Sequence, residues 1–385
     1  MQHGTQVSLA RRLFDHIDAR TTDMAPDVAY NSVDAFTCPD RLEREWRTLF
    51  LDHPQYLGLS CQIRDPGDYF TNDDLGVPIL VTRDREGTAR AFLNVCRHRG
   101  ARLVEGCGRG KRAFVCPYHA WSYDTAGRLV SVPQRGSFGE IDTASRGLRE
   151  LPCEERHGMI WVRARPDGAI DLDRCLDGLD DEFASYDFAS YHHYETRVRS
   201  WKMNWKVAVD TFLEPYHFPA LHRDTVAPIF LPNLCLVDVF GRNLREVLAR
   251  RSIVDMRDQP ESRWDLIRET AIVYVLVPNV VVISQIDHLE IFRLYPAGGR
   301  VDETLVYFEF YIPEPATTEK AVEHWRRNLD LTIRTIEQED FPTGEGIQAG
   351  MTSGAQREIV YGRNEPALQH FERTITELVE MSAAA

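Results

Sequence analysis

The sequence predicts an α+β protein in which a small all-β domain precedes a domain of mixed helices and strands. From about residue 35 to residue 165, short β-rich runs alternate with turns such as Asp84-Arg85-Glu86-Gly87. Later in the chain, four successive runs rich in Val, Ile, Leu, Phe and Tyr occupy residues 271–277, 280–286, 289–295 and 304–312. Short turn-forming segments separate these four runs, so an antiparallel meander is the simplest arrangement.

Three segments follow one another along the chain. We expect an N-terminal helical arm that packs on the later domain, then the all-β domain, then the mixed domain, at residues 1–34, 35–165 and 166–385. The arm is predicted from apolar residues at helical spacing, namely Leu9, Leu13, Phe14 and Ile17. The domain boundary is placed near Arg165-Pro166-Asp167-Gly168, where the composition becomes polar and turn-forming. Helical patterns around residues 200–218 and 318–340 flank the meander.

Size and charge exclude several classes of function. The 385 residues are enough for two cores, and 43% apolar with 27% charged residues is ordinary for a soluble globular protein. No run approaches the roughly 18 apolar residues of a membrane helix, and the N-terminus lacks a signal-peptide core, so a cytoplasmic location is expected. The net charge of −14 disfavours binding to nucleic acid or to anionic membranes.

Two short motifs predict an iron–sulfur cluster. Cys96-Arg97-His98 and Cys116-Pro117-Tyr118-His119 each offer one thiolate and one imidazole. Two Cys on one iron and two His on the other form the ligand set of a Rieske [2Fe-2S] centre, which relays electrons. The alternative is structural zinc, but zinc ligands usually run as a Cys pair followed by a His pair, whereas here each half mixes the two residue types.

A second pair of imidazoles, His217 and His222, predicts a mononuclear metal site. With one carboxylate they would complete a 2-His-1-carboxylate triad, which leaves positions open on Fe(II) for O₂ and substrate. Asp340 is the best candidate for that carboxylate because it continues an apolar stripe formed by Val322, Trp325, Leu329, Ile333 and Ile336. Its neighbours Glu337 and Glu339 fall off the stripe and are expected to face solvent. The alternative is that the helix frays and Asp340 merely ends it in water.

At these motifs the chain resembles the Rieske non-haem iron oxygenases, the ring-hydroxylating oxygenase α-subunit family. The resemblance covers Cys96 to Gly100, Cys116 to Tyr123, Asn204-Trp205-Lys206 before the His pair, and the late Gln338-Glu339-Asp340. It implies a helix-grip fold for the second domain. It also implies a [2Fe-2S] cluster on Cys96, His98, Cys116 and His119, one mononuclear Fe(II) on His217, His222 and Asp340, and a head-to-tail homotrimer.

Glu214 is the most important residue that is not itself a predicted ligand. It lies three residues before His217, hence on the same helical face, and a metal-bound His usually donates its other N–H to a carboxylate. The resemblance implies that this acid bridges the iron-ligating His of one subunit and His119 of the next. Glu at this position resembles the quaternary-amine-oxidising branch, whereas many relatives have Asp. Asp210-Thr211 also departs from the acid-Asn pair common in the family.

The resemblance implies the terminal oxygenase of a multicomponent system. A separate flavin reductase, alone or with a ferredoxin, would supply electrons from NAD(P)H, since this sequence lacks a Gly-rich nucleotide fingerprint. A basic segment between residues 97 and 112 would dock an acidic electron-donor protein. The alternative is that its charges are compensated by acidic groups of the same protein or of a neighbouring subunit. Apolar residues of the second domain predict an apolar pocket, which favours hydroxylation of an aromatic or apolar substrate. These residues are Phe212, Leu213, Phe218, Val282 and Phe292.

Other functions stay open at this point. Within the family, oxidative N- or O-demethylation and oxidation of a quaternary amine compete with aromatic hydroxylation. Outside it, the chain would be a Rieske electron carrier whose second site is only structural. Iron content separates the two classes, because an oxygenase needs three irons per chain and a carrier only two.

Overall fold

The structure, a computed structural model, describes residues 1–383, so residues 384 and 385 of the predicted mixed domain lie outside the described residues. The helices are α1 (His3–Ala19), α2 (Asp34–Thr37), α3 (Pro39–Glu45), α4 (Leu172–Leu176), α5 (Asp180–Phe183), α6 (Trp205–Asp210), α7 (Phe218–Leu221), α8 (Ile253–Met256), α9 (Glu319–Thr335), α10 (Phe341–Thr352) and α11 (Pro366–Ala383).

The strands are β1 (Ala29–Ser32), β2 (Gln55–Leu59), β3 (Tyr69–Asn72), β4 (Ile79–Arg83), β5 (Ala89–Leu93), β6 (Cys107–Gly108), β7 (Phe114–Val115), β8 (Ser122–Tyr123), β9 (Leu129–Ser131), β10 (Glu150–Leu151), β11 (Cys153–Arg156), β12 (Met159–Val162), β13 (His192–Trp201), β14 (Phe230–Phe240), β15 (Asn243–Arg250), β16 (Thr270–Leu276), β17 (Val280–Ser284), β18 (Leu289–Pro296), β19 (Thr304–Ile312) and β20 (Glu358–Tyr361).

The described chain divides into two compact units. One comprises residues 47–172 and 187–191, and the other comprises residues 1–46, 173–186 and 192 onward. These limits differ from the predicted boundaries over residues 35–46, 166–172 and 187–191. The first difference has a physical reason, because α2 and α3 bond to the larger unit: Asn204 Nδ2 donates to the carbonyl of Phe36, and Lys206 Nζ binds Glu45.

The smaller unit is built from short antiparallel sheets with strand orders β10-β5-β4-β3-β6, β11-β12-β2 and β7-β8-β9. The predicted turn after β4 is present, with the Gly87 N–H donating to the Asp84 carbonyl at 3.2 Å. The Asp84 carboxylate accepts from the backbone N–H groups of Glu86 and Thr88, which holds the turn closed. Gly87 has φ +84°, a conformation that glycine adopts without strain.

The larger unit contains an antiparallel sheet with strand order β13-β19-β18-β17-β16-β15-β14. The predicted meander is confirmed, because β16, β17, β18 and β19 pair in succession. Residues of β16, β17 and β18 are buried on both faces, which explains their near-continuous apolar sequence. The all-β domain followed by a mixed domain is therefore the observed fold class.

Two helix predictions have different outcomes. The pattern at 318–340 is confirmed: α9 starts at the N-cap Thr318, whose side chain accepts from the Ala321 N–H. It continues through a π-helical turn at Ile336–Asp340 into α10. The pattern at 200–218 was too long, because β13 extends to Trp201 and only α6 is regularly helical before α7.

The N-terminal helix is present as α1. Leu9, Leu13 and Phe14 are buried, while Ile17 is partly exposed. The helix packs against β14, and the Phe14 ring meets Trp264 edge to face at 5.3 Å. None of the described helices combines the length and the apolar character needed to cross a lipid bilayer.

Candidate functional site

Two loops of the smaller unit present the predicted cluster ligands in equivalent geometries. Each loop is closed by an antiparallel pair on its flanks, Val95–Arg102 in the first and Val115–Ser122 in the second. In each loop the Cys N–H donates at 2.8 Å to the carbonyl five residues later. The fourth residue after each Cys has positive φ, +83° at Gly100 and +58° at Ala120. The two mixed Cys/His halves are therefore structurally alike, although their His spacing differs.

Both predicted thiolate ligands are buried. Cys96 is 2% exposed and Cys116 is 3% exposed. Burial raises the pKa of the Cys96 thiol, while the Tyr123 hydroxyl, 3.4 Å from Cys96 Sγ, opposes that rise. The same hydroxyl accepts from the Arg97 N–H at 2.9 Å, so its own proton points to the sulfur. A bound metal would supply the positive charge that buried thiolates require.

The two predicted imidazole ligands lie close together. The rings of His98 and His119 are 4.8 Å apart, and His98 stacks on Trp121 at 4.9 Å with only 10° between the planes. Nδ1 of His98 is buried and has no hydrogen-bond partner among the described residues. An orphaned buried imidazole nitrogen beside two thiols fits a metal ligand. His119 is exposed.

The basic segment around these loops is partly compensated. Arg102 Nη1 lies 2.9 Å from Asp73 and 3.4 Å from Glu105, and Arg109 lies 3.8 Å from Asp68. Arg99 places its guanidinium 4.9 Å from the centre of the Tyr118 ring. All six basic residues of the segment are exposed, and four of them have no carboxylate within 4.0 Å among the described residues, namely Arg97, Arg99, Lys111 and Arg112.

The larger unit brings His217, His222 and Asp340 together. The two Nε2 atoms are 3.0 Å apart, and Asp340 Oδ1 lies 3.0 Å from His222 Nε2 and 3.4 Å from His217 Nε2. His222 is 1% exposed and Asp340 is 3% exposed. Among the described residues, this is the group of His, Cys, Asp or Glu side chains whose donor atoms are close enough to share one metal ion.

The donor spacing fits an octahedral metal. Neighbouring ligands on an octahedron with bonds of about 2.1 Å are separated by about 3.0 Å, the spacing found here. Burial lowers the pKa of His217, but Asp340 and Glu214 raise it more, to about 10. Three donor atoms that converge this closely attract a proton or a metal cation. We conclude that the residues present fit a mononuclear iron with open positions.

Each His donor is oriented by a carboxylate. His217 Nδ1 lies 2.5 Å from Glu214 Oε1, and the His217 backbone N–H donates to Glu214 Oε2 at 2.9 Å. His222 Nδ1 lies 2.6 Å from Glu339 Oε2, which also accepts from the Thr225 hydroxyl at 2.6 Å. In the neutral imidazoles these contacts hold the proton on Nδ1, so that both Nε2 atoms can bind a metal once it replaces the proton between the donors. The predicted pairing of Glu214 with His217 is present in this geometry.

The prediction that Glu337 and Glu339 face solvent was wrong. Glu339 binds His222, and Glu337, whose side chain is 12% exposed, pairs with Arg199 at 2.9 Å. The reason is the π-helical turn at Ile336–Asp340, which inserts an extra residue per turn and shifts the helical periodicity. Val322, the first residue of the predicted apolar stripe, is also 44% exposed.

The backbone around Glu214 also differs from the prediction. Glu214 and His217 lie in turns between α6 and α7 rather than on one helix. Pro219 occupies the first turn of α7. The three-residue spacing nevertheless brings the two side chains together, since a turn also folds the chain back on itself.

A cavity of about 290 Å³ leads away from the metal donors inside the larger unit. Phe212 and Phe218 line it, as predicted, whereas Leu213, Val282 and Phe292 are buried in the surrounding core. Sequence reasoning missed most of the lining, to which five strands, β14 to β18, contribute residues. The apolar residues of this missed part include Phe230, Leu248, Val273, Ile283 and Ile336.

The cavity follows one face of α9. His324, Asn328, Thr332 and Ile336 recur every four residues along it, up to the donor Asp340. At the far end, His324 Nε2 lies 2.9 Å from Asp287 Oδ2, and these side chains are 44% and 38% exposed. The metal donors are thus at the closed end, and the Asp287–His324 pair marks the open end.

Family comparisons agree with this geometry. Residues 188–381 match the ring-hydroxylating α-subunit catalytic domain, and residues 53–152 match the Rieske [2Fe-2S] domain. The chain belongs to the ring-hydroxylating oxygenase α-subunit family. It is therefore a Rieske-type oxygenase, an oxidoreductase that incorporates molecular oxygen and carries a [2Fe-2S] cluster and a mononuclear iron.

Several relatives of this oxygenase have established names. Choline monooxygenase of Spinacia oleracea is 26% identical over 351 residues, covering 87% of this chain and 75% of that protein. The carnitine monooxygenase oxygenase subunit of Escherichia coli is 29% identical over 204 residues, covering 50% and 54%. The fold is similar to that of a quaternary ammonium Rieske monooxygenase crystallised with an inhibitor, with a TM-score of 0.80, 21% identity, and coverage of 92% and 96%.

Proposed function

We propose that the oxygenase hydroxylates a carbon of a small alkylammonium compound. The single observation that carries the oxygenase site is the convergence of His217, His222 and Asp340 at the closed end of a cavity. Iron bound there would activate O₂ beside the substrate. Glu214 and Glu339 hold the two imidazoles in the tautomer that directs Nε2 to the metal.

The cluster ligands in this proposal are Cys96, His98, Cys116 and His119. Monooxygenation consumes O₂, two electrons and two protons, inserts one oxygen atom into a C–H bond and releases the other as water. A separate NAD(P)H-dependent flavin reductase, alone or through a ferredoxin, supplies the electrons. Exposed basic residues near the cluster suit an acidic donor protein.

Electron transfer between subunits of a homotrimer is part of the proposal. His119 is exposed, so a neighbouring subunit can approach it. Glu214 uses one lone pair of each carboxylate oxygen within its own chain, and each oxygen has a second lone pair for another donor. The oxygenase would thus connect its own His217 to His119 of the neighbouring subunit through Glu214.

The substrate class is supported by the relatives and by the cavity. Choline and carnitine monooxygenases act on compounds that their names identify as quaternary amines. Phe212, Phe218 and Phe230 line the cavity, and aromatic faces attract alkylammonium groups. The same rings would accept an aromatic substrate, so aromatic hydroxylation is the second candidate.

Iron content and turnover test the reaction class. The reconstituted protein should contain three irons per chain, and Asp340→Ala should lose one of them while it keeps the visible absorption of the cluster. Two irons in the wild type, with no O₂ consumption in the presence of reductase and NADH, would show an electron carrier. Loss of the cluster absorption in the variant would indicate misfolding, in which case Asp340→Asn provides the milder substitution for the same measurement.

A substrate panel tests the substrate class. O₂ uptake and product formation are measured with choline, glycine betaine, L-carnitine and γ-butyrobetaine, and with indole and naphthalene as aromatic alternatives. Product from at least one ammonium compound, with none from the aromatic compounds, is the expected result. Oxidation of the aromatic compounds alone would transfer the assignment to the second candidate.

A further inference from the structure

The outer half of the cavity contains a buried carboxylate with an unused oxygen. Glu290 is 2% exposed and lines the cavity from β18. Its Oε1 accepts from the Thr332 hydroxyl at 2.5 Å and lies 3.2 Å from His288 Nε2. No donor among residues 1–383 reaches Oε2. Because Glu290 lines the cavity, Oε2 is free to accept from a donor or to face a cation on a bound molecule.

Other ionisable groups around Glu290 are already engaged. His288 lies between Asp287, at 2.9 Å from its Nδ1, and Glu290. Asp287 uses its second oxygen to bind His324. Two imidazoles and two carboxylates thus alternate in the order His324, Asp287, His288, Glu290, so that Glu290 stands at the end of the row with one imidazole partner and one unused oxygen.

The same half of the cavity holds a guanidinium with an unused nitrogen. Arg250 Nη2 donates to Gln285 Oε1 at 2.7 Å, and Nε donates weakly to the Thr270 carbonyl at 3.4 Å. The guanidinium lies 5.0 Å from the centre of the Phe230 ring, which keeps its plane fixed. Within the described residues no carboxylate lies within 4.0 Å of Arg250, so it forms no direct ion pair, although burial lowers its pKa and the nearby charge of Glu290 opposes that shift.

The position of Thr332 on α9 indicates how far Glu290 lies from the metal donors. Thr332, which binds Glu290, is eight residues before the metal donor Asp340 on the helix that forms one wall. Eight residues correspond to roughly 10–12 Å along a helix axis. The wall between these points is apolar, with Ile283, Ile336 and Phe212. The cavity therefore has an apolar end at the donors and a charged end beyond it.

We propose that the outer half binds a zwitterionic head group, with its cationic nitrogen against Glu290 and its carboxylate against Arg250. An apolar arm of the same molecule then reaches the metal donors. This inference rests on the proposed function and deepens it, because it places the charged group away from the oxidised carbon. A zwitterion between Glu290 and Arg250 gives each of these opposite charges a direct ionic partner, whereas a simple cation would reach Glu290 alone.

Binding of matched probes to the full-length protein tests the proposal without turnover. The probes are butyryl-L-carnitine, which is zwitterionic, butyrylcholine, which lacks the carboxylate, and 3,3-dimethylbutyl butyrate, the uncharged carbon analogue of butyrylcholine. Calorimetry should give affinities in that descending order, with at least about tenfold between the first and the last. Equal affinities for the three probes would overturn the proposal.

Two variants assign the charges. Glu290→Gln should lower the affinity for butyrylcholine to that for its carbon analogue and leave the affinity for the analogue unchanged. Arg250→Gln should lower the affinity for butyryl-L-carnitine to that for butyrylcholine and leave the affinity for butyrylcholine unchanged. Comparing probes within one variant removes any effect of partial unfolding, because unfolded protein binds none of them.

Asp287→Asn is the matched control, since both oxygens of Asp287 already have histidine partners. It should retain the wild-type order of the probes, and a loss equal to that of Glu290→Gln would contradict the assignment to Glu290. The proposed function fails separately, through the products of the substrate panel. A protein that ranks the probes as expected yet oxidises only aromatic compounds would keep the head-group site and lose the proposed reaction.

Discussion

Glu339 accepts a hydrogen bond from Nδ1 of His222 at a donor–acceptor distance of 2.6 Å. His222 is 1% exposed, and its other nitrogen lies 3.0 Å from the Nε2 of His217. A carboxylate that holds the far side of a metal-binding imidazole fixes the ring orientation and raises the basicity of the donor nitrogen. Glu339 thus performs for His222 the role that Glu214 performs for His217.

Substitution of Glu339 by Gln should lower the affinity for the mononuclear iron about 10–100-fold, because the amide supports the His222 tautomer poorly. The measurement is iron retained per chain during dialysis against a graded chelator, with the cluster absorption as an internal reference. Glu337→Gln is the matched control, since Glu337 is two residues away and pairs with Arg199. Equal iron loss in both variants would contradict a specific role for Glu339.

Glu214→Gln should lower turnover about 10–100-fold while the cluster stays intact. If Glu214 also connects subunits, oxidation of a prereduced cluster by O₂ and substrate should slow even when the variant is fully loaded with iron. Stopped-flow measurement of the cluster absorption separates this step from iron affinity. Turnover at the normal rate would show that Glu214 neither supports His217 nor connects the subunits.

Tyr123→Phe should lower the midpoint potential of the cluster. The hydroxyl of Tyr123 lies 3.4 Å from Cys96 Sγ, and a hydrogen bond to sulfur favours the more negative, reduced cluster. Loss of about 1 kcal/mol corresponds to roughly 40 mV for a one-electron couple. A spectroscopic redox titration measures the shift. Tyr118→Phe is the control, because Tyr118 is 56% exposed, and it should leave the potential unchanged.

Lys206→Met should destabilise the larger unit by about 1–3 kcal/mol. Lys206 and Glu45 are both fully buried, with Nζ 2.8 Å from Oε1, and removal of the ammonium leaves the buried carboxylate with the Arg41 guanidinium, 3.0 Å from Oε1. Urea unfolding measures the loss. The double variant Lys206→Met/Glu45→Gln should recover part of it, because a neutral amide needs no cation and its oxygen can still accept from Arg41 or from the Trp205 N–H. A double variant no more stable than Lys206→Met would show that the cost comes from packing instead.

The His288 cluster should make stability depend on pH. Burial lowers the pKa of His288, but its bonds with Asp287 and Glu290 raise it more, so the folded value lies above the ordinary 6.5. Its contribution is therefore complete below the unfolded pKa and is lost as pH rises through the folded pKa. Urea unfolding between about pH 6 and pH 9 should show this loss in the wild type. His288→Gln should flatten the dependence, and a parallel curve would assign it to other groups.

The local motifs carried most of the information on the site. Cys96-Arg97-His98 and Cys116-Pro117-Tyr118-His119 were recognisable because metal ligation requires few residue types at short spacing. The same reasoning predicts the metal ligands His217 and His222. Asp340 is predicted from helical periodicity and from the resemblance to the family. Asn204-Trp205-Lys206 was recognised only as a motif, while the structure explains it: Asn204 caps α6, and the next two residues bind Glu45.

The apolar periodicity of the sequence determined the all-β domain, the meander of β16 to β19 and the long helix α9, since burial of one face requires a regular spacing. The tertiary structure alone decided that Glu339 reaches His222, because a π-helical turn breaks the periodicity on which the prediction relied. It alone placed Glu290 and Arg250 in one cavity, because they lie 40 residues apart on strands whose register depends on long-range pairing. Short-range order follows from local preferences, whereas contacts between distant strands depend on how the whole core packs.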